Sequence, residues 1–425
     1  MLKNYVDYIK VVWKGNNNME NKKGKNIPMD TILFALSFWM IFITIEGSFS
    51  VQILLPILIL IMFYQIIVKK KSKICINIES KLLFLFIIAL IFSTIINVCK
   101  YINYITYDTL IGVLYFIIIF LWYLFNTNKS YKTKEIKLII NSYIGMSFFC
   151  SILLIGRFLS GQLGKIAMIN LIDVEIDENY VSALIAMASL FLFNSILNKV
   201  AKEKVKIKFM KIIVLGVNLL AIALSGSRAA LIGIIMCMIL SYFLAFKTDL
   251  NIKKTGKLLI IFVVIIIISI NIFDYIPSWT FDRYFNSNYS DNSNNKRVLI
   301  WKNAINGFFN SPIYGYSIRI FDQIPEYSKI EGFKIPERVP AHQTYIDLLL
   351  YTGILGMVPF ILFLYKVFKD NIILGEKRML PMIIFFLMVT NIVGAEKSVF
   401  MWNNLILFTI IGKYTKVYKD FQDII

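Results

Sequence analysis

The sequence predicts an all-α fold: a polytopic membrane bundle of about twelve transmembrane helices, with one large extracytoplasmic loop between the ninth and tenth. Three observations carry this. Of the 425 residues, 58% are hydrophobic and the mean hydropathy is +0.69, more apolar side chain than a globule in water can bury. The apolar residues fall in runs of roughly 17–23, the length that crosses about 30 Å of hydrocarbon. Lysines fill the short segments between runs, as topology signals do.

Taken in order, the runs predict helices near 31–46, 50–68, 82–99, 108–125, 137–157, 180–197, 209–225, 229–246, 257–274, 344–366, 379–395 and 398–413. Glu396 and Lys397 between the last two leave room for a single re-entrant hairpin. The resulting organisation is a cytoplasmic N-terminal segment (1–30), helices one to nine (31–274), the large loop (275–343), helices ten to twelve (344–413) and a cytoplasmic tail (414–425). The first 28 residues are polar and basic, with no short apolar core ahead of a cleavage site, so the first membrane helix is expected to target the chain and to stay in it.

Charge sets the direction. With the N-terminus inside, 32 of the 45 Lys+Arg fall on cytoplasmic segments, and 8 of the other 13 lie in the large loop. Every short inside loop is basic, as the positive-inside rule demands. This distribution also argues against nucleic acid as the reason for the net charge of +19. Of the four cysteines, Cys75 lies in a lysine-rich loop, and Cys99, Cys150 and Cys237 lie in or at the ends of apolar runs, so no disulfide framework is implied.

Arginine is distributed differently from lysine. Six of seven arginines (Arg157, Arg228, Arg283, Arg297, Arg319 and Arg338) fall on the outer side and only Arg378 inside. Lysine suffices where charge alone is needed, whereas the guanidinium fork grips phosphate or carboxylate in a bidentate way. The split points to an outward-facing site for an anionic ligand; structural ion pairs in outer loops are the plainer alternative. Arg228, in Ser225-Gly-Ser-Arg228, occupies a tight turn between two membrane helices, where it either snorkels or faces the bundle interior as a functional group.

Within the loop, Asn286 to Asn295 reads as an exposed, mobile stretch. Arg297 to Phe309 then turns amphipathic, with Val298, Trp301, Ile305 and Phe308 on one helical face. Ser311-Pro312 and Gly315 end that helix in a turn, and a second polar stretch follows up to Pro340. His342, the single histidine, sits where the loop enters the tenth helix. It is either an interfacial hydrogen-bonding residue or a proton-transfer group, the one side chain whose ordinary pKa suits that role near neutrality. No zinc site is expected, because one His without a Cys cluster makes no usual one; the run Asp173 to Glu178 has the oxygen ligands for a divalent cation, with a solvated acidic turn as the plainer reading.

Three pieces resemble the O-antigen ligase and polymerase family of bacterial cell-surface polysaccharide assembly. They are Ser225-Gly-Ser-Arg228-Ala-Ala-Leu-Ile, Arg297-Val-Leu-Ile-Trp301 running into Ser311-Pro312-Ile-Tyr-Gly315-Tyr-Ser317, and His342-Gln343 followed by Gly353-Ile-Leu-Gly356. The match covers about 209–366; the N-terminal half resembles the family in topology only, apart from Arg157 and Asn179. The resemblance implies a glycan donor on a polyprenyl diphosphate, metal-independent inverting transfer at the outer leaflet, and no cofactor. By the same resemblance, Arg228 and Arg297 would hold the diphosphate, with Arg157 and Arg283 as further binders, and His342 would be the general base. Gly353 and Gly356 would let another helix pack close behind the histidine. Implied partners are the lipid-linked oligosaccharide, membrane lipid and other assembly proteins such as a flippase and a chain-length regulator, with no nucleic acid.

Composition rich in Ile, Lys and Asn, as in AT-rich genomes, tilts the expectation toward a polymerase of repeat units in a bacterium without lipopolysaccharide. The alternatives are a ligase acting on a lipid or protein acceptor, a transporter or flippase, and a binding scaffold. Against a transporter, the two halves show no evident repeat with paired broken helices. The sugars read by the site are not legible; Tyr314, Tyr316 and Trp279 are among many aromatic candidates.

Overall fold

The computed structural model describes residues 27–39, 76–160, 178–198, 204–245, 287–324, 329–330, 333–334, 341, 343–374, 377–392, 394–396 and 398–418. Its helices are α1 (Met29–Ser37), α2 (Ile78–Lys100), α3 (Tyr107–Thr127), α4 (Thr133–Leu159), α5 (Glu178–Leu197), α6 (Val205–Leu224), α7 (Arg228–Ala245), α8 (Ser287–Asn310), α9 (Thr344–Leu374), α10 (Leu380–Thr390) and α11 (Val399–Tyr418). Among the described residues, extended pairing is limited to β1 (Lys329–Ile330) against β2 (Phe333–Lys334). Seven of these helices, α2 to α7 and α9, are long and apolar enough to cross a membrane. The predicted spans at 50–68 and 257–274 lie outside the described residues. The other predicted spans are helical over most of their described residues, with one marked shortfall: of 379–395 only Leu380–Thr390 forms α-helix, 11 residues, and the described residues from 391 to 395 are turn or irregular.

Lipid tails are as apolar as leucine, so helices in a bilayer associate through close packing and buried hydrogen bonds more than through the hydrophobic effect. The bundle follows that rule. The sequence of α11 from Phe400 to Tyr414 is buried nearly throughout, which makes it the central helix. Its polar residues tie it to its neighbours. Asn403 accepts from the Trp122 indole at 3.1 Å and donates to Ser37 at 2.9 Å. Asn404 donates to Tyr143, Thr409 meets Tyr123 at 3.0 Å, and Asn371 of α9 donates to the Phe408 carbonyl. A second node joins α4, α5 and α6: Asn218 donates to Ser147 and Ser189 and accepts from Ser151, all buried.

One end of the bundle carries a buried ion-pair cluster. Lys129 pairs with Asp30 at 3.1 Å and Glu135 at 3.2 Å, and its ammonium also contacts Thr31. Tyr131 is buried beside this cluster; burial, then the nearby Asp30 and Glu135 carboxylates, push its phenol well above the ordinary range.

At the other end, α9 is interrupted at Gly353, whose φ of 59° and ψ of −160° break the helical hydrogen-bond run. The break is filled by backbone from residues 312–317. The amides of Tyr316 and Ser317 donate to the carbonyls of Leu350 and Tyr351 at 2.7 and 3.0 Å. The amides of Ile354 and Leu355 donate to the carbonyls of Pro312 and Ile313 at 2.9 and 3.1 Å. Groups orphaned by the break thus regain partners, without which non-helical backbone would not persist at membrane depth. Helix α2 seals the splice: Asn97 donates to the Gly315 carbonyl, Ser93 to the Tyr351 carbonyl, and Thr94 meets the Ser317 hydroxyl at 2.6 Å.

This corrects two expectations. Gly353 does not admit a neighbouring helix: a Cβ there would lie 2.4 Å from the Ile313 carbonyl oxygen, and one on Gly356 would meet the side chain of Thr352 in its own helix. Gly353 admits loop backbone. The polar stretch Asn286 to Asn295, expected to be mobile, is helical from Ser287 on. Once the amphipathic turns that follow are nucleated, adding residues costs far less than starting a helix, so poor helix formers are carried along.

The segment after α8 also packs inward. Tyr316, Ile318, Ile320, Phe321 and Ile324 are buried. Ile318 fills the space left by Gly112 of α3, and Phe321 that left by Gly307 of α8. Part of the predicted outer loop is therefore core.

Gly353→Ala should destabilise the protein by about 2–4 kcal/mol, from the left-handed backbone and the backbone collision together. Gly216→Ala, in α6 with nothing within 4 Å of the new methyl, should instead be neutral or stabilise by about 0.5–1 kcal/mol. Thermal unfolding of the two full-length variants in detergent checks both signs.

Candidate active site

The chemistry-bearing residues gather at the end of the bundle where α9 begins, and a chain of contacts shows how. Ser182 near the start of α5 donates to Ser225 at the end of α6 at 2.7 Å. Residues 225–227 turn through Gly226 (φ 73°), and Arg228 follows as the first, half-buried residue of α7. Phe158 of α4 packs on Leu224 of α6, bringing Arg157, in the last turn of α4 and half-buried, to the same end. Tyr180 of α5 accepts from the Phe400 amide at the start of α11, and the Ala395 amide donates to Thr344 at the start of α9.

The strand of chain leading into α9 is held from both sides. Trp301 of α8 donates its indole N–H to the Ala341 carbonyl at 2.8 Å, and the Ala341 amide donates to Asp347 at 2.9 Å. Gln343 donates to Asn391 and caps α9 by accepting from the Ile346 amide. Arg297 lies four residues before Trp301, one turn away on the same side of α8, and is half-buried.

Arg157, Arg228 and Arg297 are thus carried to one end of the bundle by four separate helices and turns. The immediate neighbours of His342 are fixed there too. His342 itself and Arg283 lie outside the described residues, as do Trp279 and the run 173–177. Gly353 and Gly356 stand in α9 below this end, and Gly353 makes the splice possible. Of the aromatic candidates, Tyr316 is buried between Tyr101 and Phe321 and has no open face for a sugar, while Tyr314 is half-buried.

Some features of this end carried only a faint signal in the sequence. Ser317 and Arg319 adopt the left-handed backbone at φ 64° and 65°, a conformation that non-glycine residues adopt at a cost and that clusters at functional sites. Glu396 is buried, although a carboxylate between two predicted spans reads as an exposed turn residue. Its placement comes from the shortness of α10, only 11 residues.

A bundle of helices long and apolar enough to cross a membrane marks a multi-pass membrane protein. Residues 212–361, from α6 to the middle of α9, match the family model described as O-antigen ligase. Over that segment the chain is similar to the O-antigen ligase and polymerase family, whose members are glycosyltransferase-like enzymes. No curated protein matches the chain at a significant level.

Trp301→Phe removes the indole donor that holds α8 to Ala341 while keeping the apolar bulk. Amide hydrogen exchange across residues 297–308 should rise in this variant, with little change across α4 to α7; exchange read by mass spectrometry decides it.

Proposed function

We propose that this protein is a polymerase that joins polyprenyl-diphosphate-linked oligosaccharide repeat units into a surface polysaccharide. It does so at the outer leaflet of a bacterial cytoplasmic membrane, with both termini cytoplasmic. What supports the reading is that Arg157, Arg228 and Arg297 stand at the same end of the bundle as Ala341 and Gln343, the residues flanking His342, and lysine placement assigns that end to the outside. The match to the O-antigen ligase model supports glycan transfer as the reaction type.

In the proposed step, a ring nitrogen of His342 accepts the proton of the acceptor hydroxyl as its oxygen attacks the anomeric carbon of the donor. The bond from that carbon to the diphosphate oxygen breaks, and the electron pair leaves on the diphosphate. Attack opposite the leaving group inverts the anomeric centre. Guanidiniums of Arg228 and Arg297, with Arg157 and Arg283 as further binders, stabilise the charge that develops there. A positioned base typically contributes about 10²–10⁴-fold. Metal-independence follows from this assignment, since arginine supplies the positive charge.

The family's own description, O-antigen ligase, favours a second reading in which finished glycan passes to a lipid or protein acceptor. The geometry at the diphosphate would be the same; the acceptor differs.

Arg228→Lys and His342→Ala should each abolish the long-chain ladder on a polysaccharide gel at normal protein level, with single lipid-linked units accumulating outside. A preserved ladder in both variants removes the mechanism. Repeat units trapped on the inner leaflet in cells lacking the protein would mark it as a flippase. Free full-length polymer would mark it as a ligase.

A further inference from the structure

Ala341 is 3% exposed, and side chains from two different helices hold both of its backbone groups. Its amide donates to Oδ1 of Asp347, in the first turn of α9, at 2.9 Å. Its carbonyl accepts from the Trp301 indole of α8 at 2.8 Å. That carbonyl belongs to the peptide unit shared with His342. The unit is planar, so a bond that orients its oxygen orients the backbone nitrogen of His342 as well. On the far side of His342, Gln343 donates to Asn391, the residue that follows α10. The two residues bonded to His342 are thus held by α8, by α9 and by the end of α10.

The carboxylate of Asp347 is the costly member of this set. At 2% exposure it has left water, and a buried carboxylate persists where hydrogen bonds to it offset that loss. Negative charge in the first turn of a helix is favoured by the helix dipole, which makes capping the plainer account. Capping does not explain where the bond goes. The Ile346 amide of α9 is already served by the Gln343 side chain, and Thr344 ties the head of α9 to the Ala395 amide. Asp347 directs its oxygen to Ala341 instead, outside the helix and one residue before the histidine.

We infer that Asp347 is a positioning residue for the transfer step proposed above, acting through Ala341 to hold His342 in place. A general base must come within hydrogen-bond reach of the proton it takes, and a displacement of about 1 Å can cost roughly 10²-fold in rate. Trp301 adds the second hold from α8, the helix that carries Arg297 one turn earlier. The base and one diphosphate-binding arginine are therefore set against a common frame. The inference rests on the glycan-transfer reading and adds to it a residue that acts through the main chain.

Two substitutions separate positioning from packing. Asp347→Leu keeps the branching of the side chain and removes the acceptor; Asp347→Asn keeps an oxygen that can accept from the Ala341 amide. Each is prepared as full-length protein in lipid nanodiscs, with the lipid-linked saccharide extracted from cells lacking the protein as substrate, and polymer formation is followed on a gel. Turnover at saturating substrate should fall about 100-fold in Asp347→Leu, with the half-saturating concentration within about twofold of the parent's, and return to within about tenfold of the parent in Asp347→Asn. Parent-like turnover in Asp347→Leu, an equal loss in both variants, or a loss that appears as weaker substrate binding would overturn the positioning role. If Asp347→Leu fails to accumulate, Trp301→Phe tests the same peptide: lower turnover at unchanged half-saturation is expected, and parent-like turnover would overturn the assignment. A parent protein that forms no polymer from this substrate would overturn the polymerase reading itself, and the positioning role with it.

Discussion

The interruption of α9 at Gly353 is the constraint on which the rest of this end of the molecule depends. A helix broken inside a bilayer exposes carbonyls and amides that lipid cannot satisfy. Here the carbonyls of Leu350 and Tyr351 and the amides of Ile354 and Leu355 are taken up by backbone from residues 312–317. The substitution works only if loop and helix approach to backbone contact, and that requires Gly315 and Gly353, both at positive φ with no room for a Cβ. Because the loop is built into the helix, the end of α8 is held at a set height above α9. The bond from Trp301 to Ala341 then fixes α8 to the strand at the head of α9. Arg297 and the histidine-bearing strand are thereby coupled through the main chain.

Elsewhere the bundle is held by polar side chains spread along helices that hydropathy would call uniform. Asn218, Asn403, Asn404 and Asn371 each bridge helices, and several serines and threonines return their hydroxyls to the preceding turn. Each such bond is modest, about 0.6 kcal/mol on average between membrane helices. Leaving any of these groups unbonded would cost more, so the bonds specify register more than they add stability.

The candidate site was legible in residue types and only partly in their roles. Arginine instead of lysine at Arg157, Arg228 and Arg297, and a single histidine at a helix start, are chemical choices visible without coordinates. The spacing of Gly353 and Gly356 was visible too, but not its purpose, since a small residue admits a helix, a loop or a side chain alike. Nor could Asn286 to Asn295 be recognised as helical, because local propensity says nothing of a nucleus formed further along.

Sequence alone determined the class: runs of apolar residues can satisfy their backbone in lipid only as helices, so helix positions followed from composition and length. It also pointed to a family resemblance, because the arginine and histidine motifs keep their order around one long insert, and residues 212–361 match the O-antigen ligase model. Tertiary structure decided what pattern could not. It chose which glycine would meet backbone, which helix would be buried on every side, and how far α10 would reach before the chain turned. Each of these depends on groups distant in sequence finding hydrogen-bond partners where no water reaches. That is a property of the assembled bundle, and no single segment carries it.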